Sequence, residues 1–128
     1  MKESDIYAHL TTWLRYQHPN LIWRWDFAAG TRLSIGQAVK MKALQDGSAY
    51  PDFFLAKPVG KYAGLYLEIK KKDFDIYRKR NPLAYASPHI ENQNTCLKKL
   101  QDAGYYAEFA IGEDECKEII TMYLNNQL

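Results

Sequence analysis

Three residues in the middle of the chain carry side chains whose types and spacing suit chemistry: Asp52, Glu68 and Lys70. Carboxylate oxygens are preferred ligands of Mg²⁺ and Mn²⁺, so two converging carboxylates predict a site for a divalent cation. An ammonium group beside them can orient or deprotonate a water molecule and can offset the negative charge that builds on a phosphate. Hydrolysis of a phosphodiester bond requires such groups.

The segments that carry these residues predict a β-hairpin. "YPDFFLA" and "AGLYLEIKK" are both rich in aromatic and aliphatic residues, and "KPVGKY" between them contains the Pro and Gly that favour a turn. Asp52 lies at the head of the first strand, so it can approach Glu68 on the second strand if the register allows.

Alternation along the second strand divides its side chains between two faces of the sheet. Leu65, Leu67 and Ile69 are expected to face the core. Glu68 and Lys70 are expected on the opposite face, where they place a carboxylate beside an ammonium group. The sequence therefore predicts an ion-binding pocket on that face, open to nucleic acid.

The elements before the hairpin are predicted from the apolar pattern. An amphipathic helix begins at Ser4, its predicted N-cap, leaves Glu3 just outside the first turn and ends at Pro19. A strand at "LIWRWDF" follows, and "QAVKMKALQ" is expected to form a short helix.

Two helices and one strand are predicted after the hairpin. Residues 73–88 are expected to be irregular, and Ser87-Pro88 then starts a helix that Gly104 ends. "YYAEFAI" is the next strand, and "EDECKEIITMYLNN" is a C-terminal helix. The predicted fold is therefore α/β, with a mixed sheet flanked by helices.

A glutamine interrupts the apolar stripe of the helix that follows Ser87. Gln93 shares this stripe with Ile90, Leu97 and Leu100, and a buried polar side chain needs a partner. Gln93 is either a boundary residue bonded to the backbone or a side chain aimed at the carboxylate pair.

Composition indicates one soluble domain that covers residues 1–128, with 47% hydrophobic and 25% charged residues. The net charge of +2 does not by itself indicate a nucleic-acid partner. The segment "KKKDFDIYRKR" is more informative, because it concentrates six basic residues just after the candidate site. It is either a solvated loop or a strip that contacts DNA phosphates. The predicted DNA-binding residues are Lys71, Lys72, Arg78, Lys79 and Arg80, with Tyr77 and Tyr85 able to stack on bases.

Other features argue against a secreted or membrane protein. Cys96 and Cys116 show neither metal-ligand spacing nor a disulfide framework, so both are expected to be buried thiols in a reducing cytoplasm. The charged N-terminal residues do not match a signal peptide, and no apolar run approaches the roughly 20 residues that span a bilayer. We therefore expect a cytoplasmic protein.

With its residues and element order in place, the chain resembles the VRR-NUC family of the PD-(D/E)xK nuclease superfamily, in the short stand-alone form of phages and prophages. The motif is Pro51-Asp52 followed by Glu68-Ile69-Lys70, and the likeness includes "RWDFAAGTRLS" and "ENQNTCLKKLQDAGY". It implies a restriction-endonuclease-like αβββαβ core with a mixed four-stranded sheet and an extra C-terminal helix.

The resemblance also implies roles for individual residues in a Mg²⁺- or Mn²⁺-dependent endodeoxyribonuclease. Asp52 and Glu68 would bind the metal together with the carbonyl of Ile69, and Lys70 would act on the attacking water or the transition state. Gln93 matches an associated active-site position. An upstream acid that helps to bind metal in many members matches Glu3, although Asp5 competes for this role.

The family further implies a homodimer that acts on branched DNA such as Holliday junctions, in a bacterial or phage-infected cell. Two departures from the family pattern are visible. Tyr50 stands where many members have a glycine before the Pro-Asp pair, and Ala29-Gly30 replaces a frequent Asn-Gly.

Two alternatives remain open at this level. The chain could be a nucleic-acid-binding module that keeps the fold without catalysis, and it would then bind DNA equally well in chelator. It could also be an interaction protein whose hairpin is a dimer edge, with Glu68 and Lys70 as a surface ion pair. That protein would bind no DNA and would not be stabilised by Mn²⁺.

Overall fold

The computed structural model describes residues 2–26, 32–47, 49–72, 77–78, 81–85 and 87–128, with only the backbone described at 77–78 and 81–85. The elements in chain order are α1 (Glu3–Gln17), β1 (Trp23–Trp25), α2 (Ile35–Ala43), β2 (Phe53–Leu55), β3 (Leu65–Lys70), β4 (Tyr77–Arg78), β5 (Asn81–Tyr85), α3 (Pro88–Asp102), β6 (Tyr106–Ile111) and α4 (Glu113–Leu124).

The main sheet has four strands in the order β1-β2-β3-β6. The first two pairings are antiparallel and β3–β6 is parallel, with α3 in the connection between these two strands. The predicted α/β fold with a mixed four-stranded sheet is therefore confirmed. Because β3 lies between β2 and β6, all six of its residues are buried.

The two faces of the sheet are covered by different helices. Leu65, Leu67 and Ile69 pack in one apolar cluster with residues of α1 and α4. Tyr66 packs on the other face, in a second cluster with residues of α3 and β6 such as Leu97. This division confirms the predicted alternation along β3 and places its charged residues on the α3 side.

The first helix begins earlier than the sequence predicted. Its N-cap is Lys2 rather than Ser4, so Glu3 lies inside the first turn. The carboxylate of Asp5 accepts the backbone N–H of Lys2 at 3.1 Å, and acidic side chains in a first turn also complement the helix dipole. These interactions outweigh the capping hydroxyl that pointed to Ser4.

The second helix also starts before its predicted position. Ser34 caps it: its Oγ accepts the N–H of Gln37 at 3.2 Å, and the Gln37 side chain accepts the N–H of Ser34 at 3.0 Å. None of the nine residues of α2 is buried, although Ile35 and Val39 are apolar.

The segment from 73 to 88 is not wholly irregular, contrary to the prediction. The described part contains β4 and β5, an antiparallel pair with Tyr77 opposite Tyr85. Pro82 misled the sequence argument, because a proline without an N–H is tolerated in a strand such as β5, which among the described strands pairs only with β4.

The helix α3 follows its prediction closely. Ser87 is the N-cap and accepts the N–H of Ile90 at 3.3 Å, and Gly104 follows the helix with φ of +100°. Cys96 and Cys116 are buried and take part in no disulfide, as predicted. Within the described ranges, no helix combines the length and the hydropathy that a bilayer-crossing segment needs.

Candidate active site

The site forms where β2 and β3 stop pairing. The antiparallel register sets Phe53 opposite Leu67, so one further step sets Asp52 opposite Glu68. At this point the carboxylate of Asp52 accepts the backbone N–H of Ile69 at 2.8 Å. The backbone carbonyl of Asp52 in turn accepts the N–H of Asp26 at 2.7 Å. Both bonds fix the carboxylate at the strand end.

Glu68 is held by side chains from its own strand and from α3. Its Oε1 accepts a hydrogen bond from Gln93 Nε2 at 2.7 Å and lies 3.6 Å from Lys70 Nζ. Of the two interpretations of Gln93, the contact with the carboxylate pair is therefore the one observed.

The amide of Gln93 links this carboxylate to a histidine nearer the surface. Gln93 Nε2 lies 3.2 Å from Nε2 of His89, one turn earlier on α3. Because the amide nitrogen can only donate, the imidazole nitrogen is the acceptor in this contact. The other amide atom, Oε1, is buried and makes no hydrogen bond within the described structure.

The two carboxyl groups share a low-dielectric site and are hydrogen-bonded to each other. Burial is the largest cause that raises the pKa of Glu68, and the charge of Asp52 raises it further, while Lys70 opposes the shift. Burial also raises the pKa of Asp52, against the hydrogen bonds from Ile69 and Glu68. A hydrogen bond between two carboxyls requires that one of them keeps its proton, and burial favours the neutral form of both groups.

A tyrosine of α1 completes the surroundings of Asp52. The hydroxyl of Tyr7 is hydrogen-bonded to Asp52, and burial raises the pKa of this phenol. The group therefore stays neutral and acts as a donor to the carboxylate. Glu3 raises the pKa of both Asp52 and Tyr7 through its negative charge.

The donor set fits a hard divalent cation. A cation can replace the proton that the two carboxyls share, and the orphaned Oε1 of Gln93 is a further oxygen acceptor nearby. Among the described residues, however, no group of three or more His, Cys, Asp or Glu side chains converges. Mg²⁺ needs no such group, because it commonly binds one or two carboxylates together with water and substrate phosphate.

The structure does not bring every predicted ligand into this arrangement. Glu3 acts on Asp52 through charge but forms no three-residue cluster with it, and its metal role stays a prediction. Asp5 is exposed and bonded to the backbone of Lys2. The role of the Ile69 carbonyl also stays a prediction.

The site is more enclosed than the sequence predicted. Glu68 is 3% exposed and Lys70 is 7% exposed, whereas Asp52 is half-buried. The expectation of a pocket open to nucleic acid is therefore wrong for the first two side chains. The reason is topological: β3 is an interior strand, and the residues of α3 pack over this face.

Comparison with known proteins supports the same architecture. No family model matches the chain, and neither does any curated protein. A solved structure named "VRR_NUC domain protein" is similar to it, with a TM-score of 0.65 and 25% sequence identity over 98% of this chain and 89% of the other. This likeness supports a VRR-NUC-like domain. The phage type and the PD-(D/E)xK placement stay predictions.

The predicted DNA-binding residues are only partly described. Lys71 and Lys72 are exposed directly after β3, at the end of the strand that carries the candidate site. The backbone of Arg78 lies in β4. Lys79 and Arg80 lie outside the described residues, as does the Ala29-Gly30 departure.

Sequence reasoning missed Tyr7 and His89. Each had a usable signal, because Tyr7 follows Glu3 by four residues and His89 precedes Gln93 by four. Such pairs lie on the same face of a helix, so the neighbours of predicted site residues at this spacing are candidates themselves.

Proposed function

We propose that the chain is a divalent-metal-dependent DNA endonuclease that hydrolyses phosphodiester bonds. One observation carries this proposal: a buried glutamate, Glu68, contacts Gln93 and Lys70 and lies opposite Asp52 in the register of β2 and β3. Burying two acids together is costly, so such a pair is more often functional than structural. The similarity to a VRR_NUC domain protein supports the same conclusion.

The residues have distinct tasks in this proposal. Asp52 and Glu68, with the Ile69 carbonyl, would hold Mg²⁺ or Mn²⁺, which when bound supplies Lewis acidity and lowers the pKa of a water ligand. Lys70 places a positive charge where negative charge builds on the phosphate. Gln93 fixes Glu68 through its amide nitrogen, and its free oxygen can accept a hydrogen bond from a water molecule.

The expected substrate is DNA, and branched forms such as Holliday junctions are the proposed preference. Lys71 and Lys72 are exposed directly after the strand that carries Glu68 and can contact the phosphate backbone. A homodimer would present two sites to the two strands of a junction. We place this activity in the cytoplasm of a bacterial or phage-infected cell.

The enclosure of Glu68 favours one rival function, a nucleic-acid-binding module without catalysis. A buried carboxyl that keeps its proton is a poor metal ligand until that proton leaves. This rival predicts DNA binding that is indifferent to chelator, and no cleavage under any condition.

A cleavage panel separates the two functions. Single-stranded, duplex, flap and four-way junction DNA are incubated with Mg²⁺, Mn²⁺ or chelator and with wild type or Glu68→Gln. The matched control is Glu108→Gln, which makes the same change at an exposed position of β6. We expect metal-dependent cleavage by wild type and the control only. Cleavage by Glu68→Gln at the wild-type rate would contradict the proposal, as would the absence of cleavage by wild type.

A further inference from the structure

A cleft lies beside the candidate active site, between β1 and α2. It contains a cavity of about 270 Å³ and an adjoining one of about 630 Å³, and both are lined by Arg24, Asp26, Met41 and Tyr50. The smaller cavity reaches Pro51, and the larger one extends to Leu44. The catalytic residues proposed above line neither cavity.

The cleft and the acid pair are joined by a short, fixed piece of backbone. Tyr50 lines the cleft and stands two residues before Asp52, so their Cα atoms are at most about 7 Å apart. Asp26, which also lines the cleft, donates its backbone N–H to the carbonyl of Asp52 at 2.7 Å. A ligand in the cleft would therefore lie next to a phosphate bound at the acids.

The ring of Tyr50 is exposed but held in one orientation. It is 46% exposed, and its hydroxyl donates to that of Tyr66 at 2.8 Å. The two rings meet edge to face at 5.4 Å, and Tyr66 in turn stacks on Phe54 at 4.4 Å. An aromatic face that is fixed before binding is a good platform for a second flat ring, because little entropy remains to be lost.

The other residues in and around the cleft could contact the remaining parts of a nucleotide. Met41 offers an apolar, polarisable surface, and the carboxylate of Asp26 can accept hydrogen bonds from an exocyclic amino group. Arg24 is exposed at the edge of the cleft, and Lys40 and Lys42 lie in the last turn of α2, where cations can contact phosphates.

The geometry points to this cleft as the binding site for one unpaired nucleobase of the strand that is cut, with Tyr50 as its stacking platform. The inference rests on the proposed nuclease function and adds a substrate requirement to it. A base inside a duplex cannot enter without leaving its stack, so the enzyme should favour DNA with an unpaired nucleotide beside the scissile bond.

The test measures DNA binding separately from cleavage. Fluorescence anisotropy in Ca²⁺ gives the Kd for a single-stranded oligonucleotide and for a set in which one abasic site is moved along it. The proteins are wild type, Tyr50→Ala, Tyr50→Phe and the control Tyr16→Ala, which removes a tyrosine that is 84% exposed and lines neither cavity. Cleavage of the same oligonucleotides in Mn²⁺ is followed in parallel.

We expect Tyr50→Ala to weaken binding of intact DNA about 5- to 100-fold, the range for losing one stacked base, while Tyr16→Ala stays within about 2-fold of wild type. Tyr50→Phe keeps the ring but loses the hydrogen bond to Tyr66, so it should weaken binding less than Tyr50→Ala does. One abasic position should weaken wild type by a similar factor and should weaken Tyr50→Ala no further. The same position should slow cleavage by wild type.

Other outcomes would overturn the inference. If no abasic position weakened DNA binding by wild type, the inference would be wrong, whether or not Tyr50→Ala folds. If Tyr50→Ala bound both intact and abasic DNA more weakly than wild type by the same factor, Tyr50 would have only a structural role. Failure of the nuclease proposal looks different, since wild type would then not cleave in Mn²⁺ whatever the abasic scan gave.

Discussion

The two faces of β3 serve opposite purposes within one six-residue strand. Leu65, Leu67 and Ile69 on one face have no measurable exposure and lie in the larger apolar cluster. The other face buries Glu68 and Lys70 almost as deeply. Burial of the first set stabilises the fold, whereas burial of the second costs free energy that only hydrogen bonds, a shared proton or a cation can recover. Substitutions on the apolar face should therefore change stability, and substitutions on the polar face should change the chemistry.

The largest effect is expected on the polar face. Lys70→Met keeps the length of the side chain and removes its charge, so we expect cleavage to fall about 10²- to 10³-fold, or about 3–4 kcal/mol of transition-state stabilisation. Single-turnover rates measure the loss, and thermal unfolding checks the fold. Lys57→Met, at an exposed position in the connection between β2 and β3, is the control. A rate near that of wild type would remove Lys70 from the chemistry.

The apolar face should show the reverse pattern. Leu67→Ala leaves a cavity in the core, so we expect the free energy of unfolding to fall by about 3 kcal/mol. The rate per folded molecule should change little. Urea unfolding measures the first quantity, and Leu44→Ala is the control, because Leu44 is 84% exposed and its loss should change stability by less than about 0.5 kcal/mol. A large loss of rate in folded Leu67→Ala would mean that the faces are coupled.

The stability of the metal-free protein should depend on pH through the polar face. Burial raises the pKa of Glu68 from an ordinary 4.5 to about 9, so between these values the folded state binds more protons than the unfolded state. The contribution of Glu68 to the free energy of unfolding is fully present below pH 4.5 and is lost as the pH rises towards 9. We expect Glu68→Gln to be more stable than wild type at pH 8 in chelator, by about 1–3 kcal/mol, and nearly equal to it at pH 4.5.

Urea unfolding at the two pH values measures this difference. Glu108→Gln controls for the substitution itself, since Glu108 is exposed. Mn²⁺ at pH 8 should stabilise wild type and not Glu68→Gln. If wild type and Glu68→Gln had the same pH dependence in chelator, the raised pKa and the shared proton would both be contradicted.

The sequence was sufficient for the parts of the site that depend on local pattern. Alternation along β3 separated Glu68 from the leucines, and the Ser87-Pro88 signal placed α3 so that Gln93 fell on its apolar stripe. These features are set by neighbours within one turn or one strand, which sequence periodicity records. The mixed sheet followed from the order of such elements.

The depth of the site could not be predicted in the same way. Whether Glu68 is open or enclosed depends on which strands flank β3 and on what α3 covers, and these are long-range contacts. The contact between Tyr7 and Asp52 is of the same kind. The β4–β5 pair is local, and Pro82 concealed it. For α1, a local competition misled the prediction, because Asp5 closes the cap on Lys2 where Ser4 was expected to do so.

The smallest effect on cleavage is expected within α3, where two glutamines donate hydrogen bonds to different kinds of acceptor. Gln93 donates to Glu68, whereas Gln101 donates to the backbone carbonyl of Ala107 at 2.7 Å. Gln93→Leu removes the bond to Glu68 together with the orphaned oxygen, and its apolar side chain can join the cluster around Leu97. Loss of the bond to the buried Glu68 opposes the gain from the apolar side chain, so we expect stability within about 1 kcal/mol of wild type. Cleavage should be about 5- to 30-fold slower, equivalent to one or two hydrogen bonds.

Gln101→Leu should do the opposite, because it leaves the Ala107 carbonyl without its side-chain donor and lies far along α3 from the acids. Its expected cost is about 1 kcal/mol of stability with an unchanged rate per folded molecule. Measuring unfolding and single-turnover cleavage for both variants distinguishes a glutamine that positions the carboxylate from one that only caps a strand. If Gln93→Leu and Gln101→Leu cleaved at equal rates, Gln93 would have only a structural role. The site would then consist of Asp52, Glu68 and Lys70.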